Sequence, residues 1–371
     1  PRWRLSAIMW APHRLGFFLA MLVLISASLW WLVVQLDRVG AGPGLGVAVS
    51  PTVVHATVMV FGFMPLFFSG FLYTAGPVWL GVPRYSTREL LLPLLLQALG
   101  WLLWLVGGGT VRALAVLGML TALAGLAWMY LMFWRLILAS EKPDQLHART
   151  IGVGGIVGVA CLGAAALSLL LGQDGLELVF VRTALWGFIV VTFCAVAHRM
   201  IPFFTHGVVP AIEVWRPAWI LKFMAAIAAF EALAVWVDYF APSAMAWPAW
   251  TWLCMLVEVV AGCVLLWLVV RWGLIPSLRT PLLAMLHLGF MWFGLTLLYM
   301  ALSQALWLSS GEPVLGVGAL HALSMGFLGS LILAMVTRVT AGHSGRPLVA
   351  GALSWSLFLL LQITVVVRLV A

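Results

Sequence analysis

Histidine is the chemically suggestive residue of this chain: there are eight, set among very few other polar side chains. His321 opens an uncharged apolar stretch, and a short connector at its far end carries Arg338, His343 and Arg346. A neutral imidazole nitrogen ligates iron and copper, and a histidine within an apolar helix is costly unless something binds it. The segment from His321 to Pro347 therefore points to a metal or haem site around which the other elements are arranged. His55, His198 and His287 also fall inside apolar stretches. His206 and His343 are expected in the connectors that follow two of them, and His13 and His147 just ahead of two others. Glu231 and Glu258 each stand in the middle of an apolar stretch. Carboxylates at that depth mark a proton path, an ion site or a pairing interaction. On consecutive helices the two could share one proton, or each could be a neutral acid bonded to a neighbouring helix.

Elements that must position these residues are legible from composition. Of 371 residues 64% are hydrophobic and 8% charged, with a mean hydropathy of +1.14. Soluble domains carry about 25% charged residues, so the chain is read as an integral membrane protein without a soluble domain. A hydrocarbon core of about 30 Å needs some 20 apolar residues per helix. Eleven such spans are expected, at 15–36, 52–76, 89–107, 112–138, 149–172, 178–202, 216–238, 247–272, 281–304, 314–338 and 348–371. Only helices satisfy their backbone within lipid at that length. The fold class is thus an all-α polytopic bundle, a single transmembrane domain over 1–371.

The formal charge of +8 reflects loop topology and not a nucleic-acid partner. With a cytoplasmic N-terminus, only Arg38, Arg112, Arg182 and Arg368 among nineteen Lys and Arg face outward, which sets the orientation. His55 then lies about 5 Å and His321 about 10 Å below the outer surface, and His287 about 9 Å above the inner one. His198, His206, His287 and His343 form an inner group. The four cysteines show no CxxC spacing and read as packing residues. The chain begins without methionine, so a short N-terminal piece is expected to be missing, and no cleavable signal peptide is seen.

At 100° per residue, His55, Met59, Gly62, Ser69 and Tyr73 share one helix face, and His321, Met325, Leu328, Ile332 and Met335 share another. Haem needs axial ligands from facing helices, a small residue for ring clearance and an apolar wall. Both stripes suit that need, although two histidines bonded between helices would use the same spacing. The inner histidines could ligate copper or a second haem. With Arg199, Arg338 and Arg346 nearby, they could equally bind phosphate or lipid headgroups, and those arginines could hold haem propionates.

Several segments carry a resemblance: His55-Ala56, Phe61-Gly-Phe63, Ser69-Gly-Phe71, Ile201-Pro-Phe-Phe-Thr205, Leu286-His-Leu-Gly289, and His321-Ala-Leu…Met335-Val-Thr-Arg338…Gly342-His-Ser-Gly-Arg-Pro347. In these the chain resembles the NnrS family, bacterial haem- and copper-containing membrane proteins linked to nitric oxide and nitrosative stress. The family pattern has a second histidine and a glutamate where this chain has Thr57 and Val58. It also has twelve spans, so a final helix is expected beyond the eleven counted. More distantly, His55…Met64-Pro65…Ser69-Gly-Phe71 and His321…Leu323-Ser-Met-Gly326 resemble the low-spin haem helices of the haem–copper oxidase and nitric oxide reductase core subunit. That resemblance implies an outer-leaflet bis-histidine haem held by His55 and His321 between the second and tenth spans. It stops short of that family's copper-binding trio, because the seventh span has no histidine and the sixth none on its outer side.

The resemblance thus implies haem b, with copper as a second cofactor, in a protein of the bacterial inner membrane. Its expected partners are the lipid bilayer, nitric oxide, and quinol or another respiratory electron donor. A membrane oxidoreductase acting on nitric oxide or quinol would fit. So would a copper or proton transporter using the buried His and Glu, or a non-enzymatic partner of a respiratory complex.

Overall fold

The computed structural model describes residues 5–241, 248–311, 314–343, 345 and 349–370. Eleven helices in it are long and apolar enough to cross a membrane. They are α1 (Pro12–Arg38), α2 (Pro51–Leu80), α3 (Thr87–Thr110), α4 (Arg112–Ala139), α5 (Leu146–Leu170), α6 (Asp174–Val208), α7 (Ala218–Phe240), α8 (Pro248–Arg271), α9 (Pro281–Ser310), α10 (Gly318–His343) and α11 (Ala352–Val370). All the regular structure among the described residues is helical, so the protein is an all-α polytopic membrane protein, as its composition requires. Local signals set several ends. Proline opens α1, α2 and α9, where its missing N–H costs no hydrogen bond. Ser86 and Glu89 cap α3 reciprocally, and Gly81 and Gly311 end α2 and α9 in the left-handed conformation.

Helices α1, α5, α6 and α10 depart from the expected spans in ways that move histidines. Helix α1 starts at Pro12, not 15, and α5 at Leu146, not 149, so His13 and His147 lie inside the first turns of helices and not ahead of them. Helix α6 starts at Asp174, not 178, and runs to Val208, not 202; α10 runs to His343, not 338. His206 and His343 therefore sit on the last turns of helices and not in loops. Hydropathy ends a span where polar residues begin, whereas the backbone hydrogen bonds continue past that point. Arg346 lies outside the described residues.

Three helices are also not uniform. Val58–Phe63 in α2, Leu185–Val190 in α6 and Ala322–Gly329 in α10 are π-helical. A π turn takes up extra residue, so positions beyond it step off the stripe that precedes it. The single faces drawn from His55 to Tyr73 and from His321 to Met335 assumed unbroken 100° steps, and the π turns break both. In α2 the cause is local: Pro65 has no N–H, and its ring would crowd the carbonyl of Phe61 in a regular helix.

The described residues form two compact units: Pro1–Ala195 with Glu231–Val235, and Val196–Phe230 with Trp236–Ala371. In the first, α3 and α4 meet backbone to backbone. A Cβ on Gly100 would lie 2.6 Å from the Gly118 oxygen, and one on Gly118 equally close to the Gly100 oxygen. Trp101 and Trp104 are buried beside this seam, and the Trp104 indole donates to the Val54 carbonyl (3.0 Å), tying α3 to the start of α2. The Tyr73 hydroxyl donates to the Met129 carbonyl and ties α2 to α4.

In the second unit α8 and α9 meet at Gly262 and Gly294, where a Cβ on Gly262 would lie 2.9 Å from the Gly294 oxygen. Helix α11 buries little of its surface and is held by polar contacts. The Trp292 indole donates to Gln362 Oε1 (2.7 Å), Gln362 Nε2 donates to Ser330 Oγ (2.8 Å), and the Tyr299 hydroxyl donates to the Leu369 carbonyl (3.0 Å). Gln362→Leu removes two of these bonds and strands the Trp292 donor, a loss of about 1–3 kcal/mol. We expect a lower thermal midpoint in detergent and earlier protease cleavage of α11 than of the other helices.

Candidate functional site

His321 occupies the end of the first short turn of α10, and the π segment begins with the next residue. Its Nδ1 lies 2.9 Å from the Val317 carbonyl one turn back. A carbonyl only accepts, so Nδ1 carries the proton and the lone pair is on Nε2. A backbone acceptor on Nδ1–H is the usual way an imidazole is oriented to ligate through Nε2. The ring is half-exposed, and its Nε2 accepts a long bond (3.4 Å) from Arg368 Nε on α11. Met325 is half-buried on the following turn.

His55 lies in the first unit, one turn into α2 and three residues ahead of its π segment. Its imidazole stacks on Trp31 of α1, with centroids 4.2 Å apart and planes 20° from parallel, and the Arg38 guanidinium covers the Trp31 ring at 5.0 Å. The Trp104 bond to Val54 fixes the backbone just before it. His55 and Met59 are half-buried, whereas Gly62 is fully enclosed. Each of the two histidines thus stands beside a π turn. π turns recur at functional sites because they redirect side chains that a regular helix would not present together.

Each inner histidine has its own partner. His198 Nε2 donates to the Pro217 carbonyl (3.2 Å), and its ring meets Trp272 edge-on. His206 Nδ1 donates to the Ile212 carbonyl, and His343 Nδ1 to the Val339 carbonyl, both at 2.9 Å. His287 is buried and shares a 2.9 Å hydrogen bond with the Thr205 hydroxyl. Among the described residues no three His, Cys, Asp or Glu side chains gather as metal ligands. Three of the motif segments do converge in the second unit. The Thr205–His287 bond joins Ile201–Thr205 to Leu286–Gly289, and the Arg338 guanidinium lies 3.5 Å from the Phe204 ring centroid. The chemistry of this cluster is therefore packing and cation–π contact around one arginine.

The two carboxylates expected from hydropathy are both buried. Glu258 Oε1 accepts from Gln304 Nε2 on α9 (2.7 Å). Glu231 falls with the first unit and Glu258 with the second. A third carboxylate escaped the sequence reading. Glu177 has no exposed surface, and its Oε1 accepts from the Thr57 hydroxyl (3.1 Å). Placing the sixth span from 178 left Glu177 in a loop, but the four residues before that point are helical and Glu177 among them is buried. At this helix start Asp174 pairs with Arg112, 2.8 Å away.

The family described as NnrS protein matches residues 7–371. The chain belongs to the NnrS family. No curated protein and no solved structure matches it. Nearly the whole NnrS chain is covered, so the match includes all eleven helices, the three π segments and every motif segment named above.

Proposed function

We propose that this NnrS protein is a haem-binding protein of the bacterial inner membrane, acting in nitric oxide metabolism or in protection from nitrosative stress. His55 and His321 are its haem ligands, and its N-terminus is cytoplasmic. The observation that carries this reading is the state of His321. Its Nδ1–H is held by the Val317 carbonyl, so the lone pair is on Nε2 at the edge of a half-exposed ring, where iron would replace the long 3.4 Å bond from Arg368. When bound, haem would supply reversible one-electron transfer.

The chain's own residues do the rest. Trp31 and Arg38 hold the His55 ring in one plane, and Trp104 holds the backbone before it. Met59 and Met325 supply soft apolar wall. Arg338, with no carboxylate within ion-pair distance among the described residues, is placed to receive an anionic group such as a haem propionate. Copper is a second proposed cofactor, with His198, His206, His287 and His343 as its candidate ligands. His206 and His343 both hold Nδ1–H on a backbone carbonyl, the arrangement that orients an imidazole to ligate through Nε2.

Haem is tested by a pyridine haemochrome spectrum with elemental analysis for iron and copper on the purified protein. Stoichiometric haem b is expected. Absence of both haem and copper overturns the proposal and favours the second reading, a proton or copper transporter. That reading rests on the buried carboxylates Glu231 and Glu258, and it would show as flux in proteoliposomes without a haem spectrum.

A further inference from the structure

We infer that Glu177 is a proton-loading site, a carboxyl that holds a proton inside the first unit and exchanges it with water at the nearby end of α6. The carboxyl has no exposed surface and a single donor, the hydroxyl of Thr57, which is itself fully buried. Its other oxygen, Oε2, is buried with no hydrogen-bond partner among the described residues.

An ionised carboxylate in such a place needs two or three donors or a paired cation. The cation at hand is committed elsewhere. Arg112 makes two bonds to Asp174, at 2.8 and 3.1 Å, and a third to the Leu169 carbonyl at 3.2 Å. Asp174 and Arg112 are the charged groups that act on Glu177, and they neutralise each other. The neutral acid is therefore the form this pocket accommodates, with the proton on Oε2.

A route to water exists along the helix. Asp174 is one turn before Glu177 on α6, and the Asp174–Arg112 pair is about one-third exposed. A proton reaching Asp174 needs to pass one helical turn to arrive at Oε2. From Oε1 the Thr57 hydroxyl leads to α2, where the π segment begins with the next residue. Hydroxyl groups accept and donate at once, so Thr57 is a suitable relay. The Glu177 proton does not depend on haem, and Glu177 is distinct from the proposed ligand histidines.

Infrared spectra of the purified protein in H2O and D2O, compared between wild type and Glu177→Gln, test it. Glutamine keeps the acceptor for Thr57 but has no titrating proton. The expected result is a protonated-carboxyl C=O band that shifts in D2O and is missing from the variant. A band equally present in both proteins means Glu177 is ionised, which overturns the proposal. A Glu177 band that does not shift in D2O means a locked structural proton, and overturns the exchange. Should Glu177→Gln fail to fold, mass mapping of wild-type protein treated with dicyclohexylcarbodiimide decides. That reagent adds to protonated carboxyls in apolar surroundings, so an adduct on Glu177 is expected and an unmodified Glu177 overturns the proposal.

Discussion

His321→Ala removes the low-spin haem absorbance of the purified protein while leaving its folded yield unchanged. The two halves of this expectation have different physical origins. Alanine deletes the Nε2 lone pair, and no other donor on that turn of α10 replaces it, since Met325 is the next soft ligand and lies a full turn away. Folding is spared because the ring is half-exposed and its bonds are local. One goes to the carbonyl four residues back and the other is a long contact from an exposed arginine. Their loss costs on the order of 1 kcal/mol or less. His55→Ala is expected to behave in the same way in the spectrum. It also frees one face of Trp31, so its indole fluorescence changes as well. A Soret band that survives in both single variants would sink the ligand assignment.

Gly100→Leu is expected to abolish the folded protein. The first Cβ would lie 2.5 Å from the Ala122 nitrogen and 2.6 Å from the Gly118 oxygen. Both are backbone atoms of α4, and backbone cannot step aside as a side chain can. Helices α3 and α4 must separate, which opens the packing of Trp101 and Trp104 and strains the Trp104 bond to Val54. The cost exceeds the about 1–3 kcal/mol of ordinary overpacking, because close backbone approach is what holds membrane helices together. Size-exclusion chromatography in mild detergent reads this directly: the monodisperse peak is lost. Gly163→Ala is the matched control, since a Cβ there meets only Leu123 Cδ2 at 3.6 Å, and its peak is expected intact. A normal peak for Gly100→Leu would mean that α3 and α4 do not meet as described.

How far the site was readable in the residues varies by position. Glu231 and Glu258 stood out because a charge in a run of apolar residues is visible in hydropathy alone. Glu177 did not, because it sits beside Asp174 and Gly175 at a span boundary and reads as loop. Burial there depends on α2 packing against the start of α6, a contact between residues 120 positions apart. His206 and His343 were misplaced for a related reason: helix ends follow backbone hydrogen bonds and side-chain partners, which polarity does not report.

The sequence by itself determined that this is an all-α membrane protein, with the eleven long apolar helices found among the described residues, and which segments mark it as an NnrS protein. Those properties follow from the length of apolar runs and from residue identity, and both are local. Only the tertiary structure decided how the marked residues are used. It put π turns beside His55 and His321, proton and lone pair on opposite sides of the His321 ring, and His287 against Thr205. It also gave each inner histidine a separate partner and enclosed Glu177 with one donor. These depend on which atoms of distant segments meet, and on hydrogen bonds that a helical repeat of 3.6 residues does not foresee.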